Sequence, residues 1–321
     1  MSRVVVLGSS AWDLAVRVPH LPRPGETCLG GSLIEGPGGK GANAAVAAKR
    51  AGGDVSFISA IGDDDFGDRI RGSLEQEGIP LEWVRVVPET SSQLALIFLA
   101  ENGENSIAVA PGASVLLAPS YIEQLPDSLF AQGGAFLASC EVPIETVVAG
   151  LKRARAHGMH TILNPAPARE LSILAEALRF TEILTPNEGE LATLLRTPAV
   201  DNGLSCDQMR KLGSMGVMAI VVTRGDRGCQ ILADESEPID IPPHVVHAVD
   251  SVGAGDAFSG ALAVALTERA WLRGAARFAN AAAALAVTKP SAQGGMPSRR
   301  EIEELLAKSG SADSTLSEAI Q

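Results

Sequence analysis

"AVDSVGAGDAFSGALAVAL", residues 248–266, sets one acid, Asp256, between a Gly-Ala-Gly turn and a long apolar run. The apolar run reads as a buried helix. Gly253, Ala254 and Gly255 would then present unpaired helix-start N–H groups aimed at one point, where an anion can bind without a cationic side chain. Asp256 by itself has a plainer explanation, since acids favour helix N-termini. A cap, however, needs no Gly-Ala-Gly lead-in; that lead-in suits backbone pressed against a ligand, with the carboxylate left as a proton acceptor.

Outward from this helix the chain alternates strand-like and helix-like segments. Val4 to Leu7 is a short apolar run closed by Gly8, and helix patterns follow over 40–52 and 66–78, with the strand "VSFISAIG" between them. Further on come strand "GAFLAS", helix 144–157, strands "HTILNP" and "TEILTP", helices near 188–195 and 207–215, and strand "VMAIVVT". Such alternation argues for an α/β fold, a mostly parallel sheet with helices on both faces. Two regions break the rhythm. Residues 14–36 and 83–110 read as short strands separated by Pro, Gly and Asn, with "QLALIFLAENGENSIAVA" a hairpin around Asn102 and Gly103. They predict a small sheet, discontinuous in sequence, over one edge of a large domain made of 1–13, 37–82 and 111–308. From Ser309 the polar tail, 309–321, is expected to be loose.

Composition restricts the function classes. The 321 residues are 46% apolar and only 4% aromatic, so the core rests on Ala, Val, Leu and Ile. A formal charge of −12 argues against nucleic acid and anionic membrane as partners, because either needs a cationic face. Cys28, Cys140, Cys206 and Cys229 are scattered without a C-x-x-C, which fits a reducing compartment. No stretch approaches the roughly 20 apolar residues of a membrane span, and the expected location is cytoplasmic.

Three further segments can carry chemistry. In "EGPGGKGANAAVAAKRAG" (35–52) glycines crowd before an Ala-rich helix, with Lys40 and Asn43 in the turn. The glycines allow close approach of a ligand to the backbone, or simply a tight strand-to-helix turn. Gly41 stands where a P-loop needs Ser or Thr, and the first strand is not followed by a dinucleotide fingerprint. In "TPNEGE" (185–190), Asn187 and Glu190 lie three apart: both can offer oxygens to a hard cation or its waters, or serve as cap and capping partner. In "VVTRGDRGC" (221–229), Thr223, Arg227 and the turn's N–H groups can hold phosphates, or the turn is an ordinary one.

With these segments in hand the chain resembles the ribokinase family of sugar kinases, also called the phosphofructokinase B family, from residue 3 to about 307. "GPGGKGANAAVAA" is similar to its N-terminal signature and "DSVGAGDAFSGAL" to its C-terminal one, with "NPAPA" (164–168), "TPNEGE" and "VTRGDRG" between them in order. The resemblance implies a three-layer αβα domain with a small β-sheet lid, and transfer of the γ-phosphate of ATP to a sugar hydroxyl. It makes Asp256 the general base and Gly253, Ala254 and Gly255 the anion hole. It assigns Asp13, Gly39, Lys40, Gly41, Asn43 and Glu141 to the sugar. To ATP it assigns Asn187, Thr223, Gly225, Arg227, Gly228, Gly255 and Asn280, and to Mg²⁺ Asn187 with Glu190, through water. It further implies K⁺ as a monovalent activator beside Asp250, Val252, Ala286, Lys289, Ser291 and Gly295, and a homodimer formed through the lid.

This chain departs from the family pattern at two places. Where ribokinase-type sequences carry Asn two residues before the first sugar-binding Asp, Ala11 stands, followed by Trp12. A sugar hydroxyl loses a partner there, and a site built to bond a hydroxyl discriminates sharply by that bond. Cys140 likewise replaces an apolar residue before Glu141. Ribose, giving ribose 5-phosphate, leads as substrate, with another pentose, a ketohexose or a nucleoside as alternatives. A non-catalytic sugar- or nucleotide-binding regulator would be expected to lack the base or the anion-hole turn, and both are intact.

Overall fold

The computed structural model describes residues 3–197, 205–233, 237–268 and 271–318. The chain opens with β1 (Arg3–Leu7), β2 (Ala11–Val18), β3 (Leu33–Gly38), α1 (Lys40–Arg50), β4 (Asp54–Gly62), α2 (Asp65–Gln76) and β5 (Val84–Val87). The hairpin strands β6 (Gln93–Ala100) and β7 (Asn105–Ala110) follow, then α3 (Pro119–Gln124), β8 (Ala135–Ser139), α4 (Ile144–Ala156), β9 (His160–Asn164) and α5 (Leu171–Leu178). Beyond them lie β10 (Ile183–Leu184), α6 (Glu188–Leu195), α7 (Cys206–Gly213), β11 (Ala219–Thr223), β12 (Cys229–Ala233) and β13 (Ile239–Ile241). Four helices close the chain: α8 (Ala254–Thr267), α9 (Leu272–Ala286), α10 (Ala292–Gly295) and α11 (Arg299–Glu318).

Among the described residues nine strands form one sheet in the order β13-β12-β11-β10-β9-β8-β1-β4-β5, parallel from β11 to β5 and antiparallel through β12 and β13. The central strand shows why: Val4 and Val6 belong to the core under one face, Val5 and Leu7 to the core under the other. A strand buried on both faces must be apolar at every position. Small residues set the packing of the first layer, since a Cβ on Gly260 of α8 would fall 2.5 Å from the Ala44 carbonyl oxygen of α1. Ala-rich helices therefore approach closely, which explains how a core so poor in aromatics fills its volume.

A separate sheet has the order β3-β2-β6-β7, and β6 and β7 pair antiparallel around Gly103, as the hairpin pattern predicts. Its membership differs from the expected boundaries. Val84–Val87, expected in the small sheet, extends the large one beside β4, because the β4-α2-β5 segment is a crossover unit that returns a parallel strand. Conversely, Ala11–Asp13 and Pro37–Gly38, expected in the large domain, pair with each other in the small sheet. From residue 309 the chain, expected to be loose, continues α11 as far as Glu318. Reciprocal bonds between Ser298 and Glu301 start that helix, and each added residue then extends it at little cost. Among the described residues no helix is long and apolar enough to cross a membrane.

Candidate active site

Parallel strands bring their C-terminal ends to one edge of the sheet, and here each delivers a polar group: Glu141 just beyond β8, Asn164 ending β9, Asn187 beyond β10 and Thr223 ending β11. The loop after β1 adds Ser9, whose hydroxyl donates to Glu141 Oε2; the same oxygen accepts from the Lys40 backbone N–H at 3.1 Å. Gly39, just before α1, has φ +88°, and a Cβ there would meet the Ala11 amide nitrogen at 2.7 Å. Only glycine satisfies both conditions, which fixes the start of α1 against the loop after β1. Gly41 in the first turn of α1 is pressed equally close to Gly8.

Asp256 sits in the first turn of α8 and is buried. Gly253, with φ +80°, caps the helix; Ala254 N–H donates to Ser251 O at 3.3 Å, and the first i−4 bond is Ala257 N–H to Gly253 O at 2.8 Å. The amides of Gly253, Gly255 and Asp256 lie ahead of that bond as open donors, while that of Ala254 is partly used. Asn43 Nδ2 donates to Asp256 Oδ2 at 2.9 Å, and Gln293 Nε2 donates to Asn43 Oδ1 at 3.2 Å. Gln293 is held in turn through its carbonyl by Arg50.

Burial pushes Asp256 up to about 6, against the nearby Lys40 ammonium and the Asn43 bond; Glu141 and Glu190 add repulsion. Burial, with the charges of Glu141 and Asp256, also raises Asp13 to about 6. Lys40 is pushed above the usual lysine value although burial opposes it, because Asp256, Glu141 and Glu190 surround it. Three carboxylates thus act on one buried cation.

A cavity of about 170 Å³ is lined by Lys40, Asn187, Glu190, Gly253, Gly255 and Asp256. Thr223, Ser251 and Gly255 connect it to a second cavity of about 430 Å³, where Gly225, Gly228 and Asn280 join apolar Val246, Phe258 and Ala283. Asn280 Nδ2 donates to Pro242 O at 2.8 Å. Arg227 lines neither cavity and is held by Glu188 at 2.6 Å. Asn187 and Glu190 form the reciprocal capping box that their spacing offers at the start of α6, and both line the smaller cavity. Nearby, Asp250 accepts from the N–H groups of Val252 and Ser291, each at 3.0 Å, and Ser291 has φ +73°. Gly295 packs on the Ala286 carbonyl, while Lys289 pairs with Glu301 at 3.1 Å.

Two side chains lie where the sequence alone does not place them. Trp12 alternates with Asp13 along β2 and so projects from the opposite face, where Glu35 accepts from its Nε1 at 3.4 Å and Arg69 lies 5.7 Å from its ring centre. Cys140 is buried with its thiol pushed up to about 12 by burial, which leaves it unreactive. Ser9 and Gln293 are residues that motif reading misses, for nothing in the sequence beside either points to partners 132 and 250 positions away.

A layered α/β fold with an acid at a glycine-led helix start, beside a cation and a nucleotide-sized cavity, defines a phosphotransferase. Residues 1–299 match the family described as "pfkB family carbohydrate kinase", and the chain belongs to that family. It is 39% identical to the ribokinase of Bacillus subtilis, over 96% of this chain and all of that one. It is 35% identical to the deoxyribokinase of Salmonella typhi, over 95% of this chain and 98% of that one. The structure of Arabidopsis thaliana ribokinase complexed with ribose and ATP superposes with a TM-score of 0.84 at 29% identity, covering 95% of this chain and 98% of that one.

Proposed function

We propose that this carbohydrate kinase transfers the γ-phosphate of ATP to the primary hydroxyl of D-ribose, giving ribose 5-phosphate and ADP. The observation that carries the reading is Asp256, buried, oriented by Asn43 and opposite Lys40, at the junction of a small polar cavity with a larger one. With its carboxyl raised to about 6, Asp256 is ionised at neutral pH and yet basic enough to accept the hydroxyl proton. The sugar oxygen forms its bond to the γ-phosphorus as the bond to the β-phosphate oxygen breaks. The open amides of the α8 start and Lys40 offset the charge on the transferring group. Thr223, Gly225, Gly228 and Asn280 hold the nucleotide, and Asp13, Asn43 and Glu141 hold the sugar under the small sheet, which acts as a lid.

Glu190 suits Mg²⁺: its capping bond occupies one carboxylate oxygen, so the ion would be held by the other, through water, and by ATP phosphates, whose charge it would neutralise. The Asp250 turn suits K⁺, because the carboxylate binds the Val252 and Ser291 N–H groups and so holds the two loops whose carbonyls would ligate the ion side by side.

A second reading, 2-deoxyribose as acceptor, has its own support in Ala11, which offers a sugar hydroxyl no partner, and in the deoxyribokinase relative. A coupled ADP assay over pentoses, ketohexoses and nucleosides decides. Ribose-dependent release exceeding that with every other sugar supports the first reading, and none with any sugar overturns both.

Two further outcomes are expected. A Cβ on Gly38 would fall 2.2 Å from Asp13 Oδ1, so Gly38→Ala must swing the carboxylate away. The sugar KM is expected to rise about 10- to 100-fold with the KM for ATP unchanged; equal changes in both would remove Asp13 from the sugar site. On the Asp13 face of the small sheet Ile34, Ile107 and Val109 are each at least 46% exposed, which favours a homodimer through the lid. Ile107→Asp with Val109→Asp is expected to halve the mass measured by sedimentation; a parent already monomeric would refute it.

A further inference from the structure

The small sheet carries a polar side chain to which the roles above assign nothing. Gln93, the first residue of β6, is 2% exposed, and its amide oxygen Oε1 has no hydrogen-bond partner. Buried polar groups are almost always paired, so an unpaired one in a native fold calls for a ligand or an ordered water.

Strand register says where this amide lies. Across the parallel β2–β6 pair, Gln93 is the partner of Ala11 and Ala95 that of Asp13. Partners in register project from the same face, and residues two apart share that face. Gln93 therefore stands on the face of Asp13. That face looks toward the reacting groups, since Glu141 and Asp256 lie close enough to raise the Asp13 carboxyl. On the other side of β2, the partner of Ala11 is Gly38. At this level the sheet reads Gly38, Ala11, Gln93: a single carboxamide beside two positions with no polar side chain.

We propose that Gln93 is a specificity-determining residue, its carboxamide bonding a ring hydroxyl of the sugar over the space that Ala11 leaves open. Neighbouring strands lie about 4.8 Å apart, and the two methylene groups of Gln93 allow its amide to lean across that distance toward β2. The group has been moved one strand sideways, not lost. The inference deepens the sugar-kinase reading and rests on it.

The test measures kcat/KM for the pentose that the parent enzyme uses best and for analogues each lacking one ring hydroxyl. Gln93→Leu is expected to lower kcat/KM about 10- to 100-fold for the pentose and for every analogue that keeps the bonded hydroxyl. For the one analogue lacking that hydroxyl, parent and variant should agree within about threefold, and the KM for ATP should not move. The double variant Ala11→Asn/Gln93→Ala, which returns a carboxamide to β2, should recover at least about tenfold over Gln93→Ala alone. Because Leu removes an unpaired polar group, the melting temperature should not fall; should Gln93→Leu fail to fold, Gln93→Ala carries the same comparison. Equal losses for all sugars would assign Gln93 to a structural water, and unchanged rates would leave it idle; either overturns the proposal. No sugar-dependent ADP release by the parent overturns the proposed function itself, and this inference with it.

Discussion

Asp256→Asn is expected to lower kcat about a thousandfold while making the protein more stable. The two effects share one cause. The carboxyl is raised from 3.8 to about 6 in the folded chain, first by burial, so folding opposes its ionisation. Below about pH 4 the group is protonated in both states and nothing is lost. As pH rises through the folded value near 6, the unfolded chain has already ionised and the native state must follow, at a cost approaching about 3 kcal/mol for a shift of roughly two units. Asparagine is exempt from this cost and keeps an oxygen for Asn43. The melting temperature of the variant should therefore exceed that of the parent at pH 8 and converge with it near pH 4. Activity of the parent should fall as pH drops through about 6, where the base becomes protonated. A variant turning over at close to the parental rate would remove Asp256 as the base.

Lys40→Met should be nearly as damaging and of opposite sign in stability. Lys40 is the largest of the influences that hold the Asp256 carboxyl down, and its own pKa is raised by Asp256, Glu141 and Glu190. A lysine raised on folding contributes stability below its unfolded value near 10.5, lost only as pH rises through the still higher folded one. Its removal is therefore destabilising at neutral pH, and the melting temperature should fall. The acid limb of the pH–rate profile should move up by about one unit or more, with kcat/KM at pH 7 about 100-fold down. An unmoved acid limb would show that the ammonium does not act on the base.

How far these groups were legible in the sequence depended on distance along the chain. The turn before Asp256 and the glycines before Lys40 announce themselves because backbone constraints are local: φ +80° at Gly253 and φ +88° at Gly39 each demand a residue without a side chain. Strand and helix periods are local too, and the alternation was readable from them. By contrast, Gln293 reaches Asn43 across 250 positions, and nothing in "SAQGG" signals a partner so far away. Strand β5 misled for a related reason: "VRVV" states that a strand exists, whereas only the crossover from β4 decides which sheet it joins. At Asn187 and Glu190 two chemistries share one pattern; the fold shows the capping box, and both residues also line the smaller cavity.

The pairing of β2 with β6 has a wider consequence. Asp13 and Gln93 ride on the small sheet, while Asp256, Lys40 and Glu141 belong to segments of the large one. On the proposed roles the acceptor site would be divided between the two sheets and complete only with the small sheet in place. Affinity for the sugar would then be scaled by the fraction of molecules in the closed arrangement. A substitution in the connection at 88–92 would then alter sugar affinity without touching the sugar, and a nucleotide held by the residues proposed for it would not register the change.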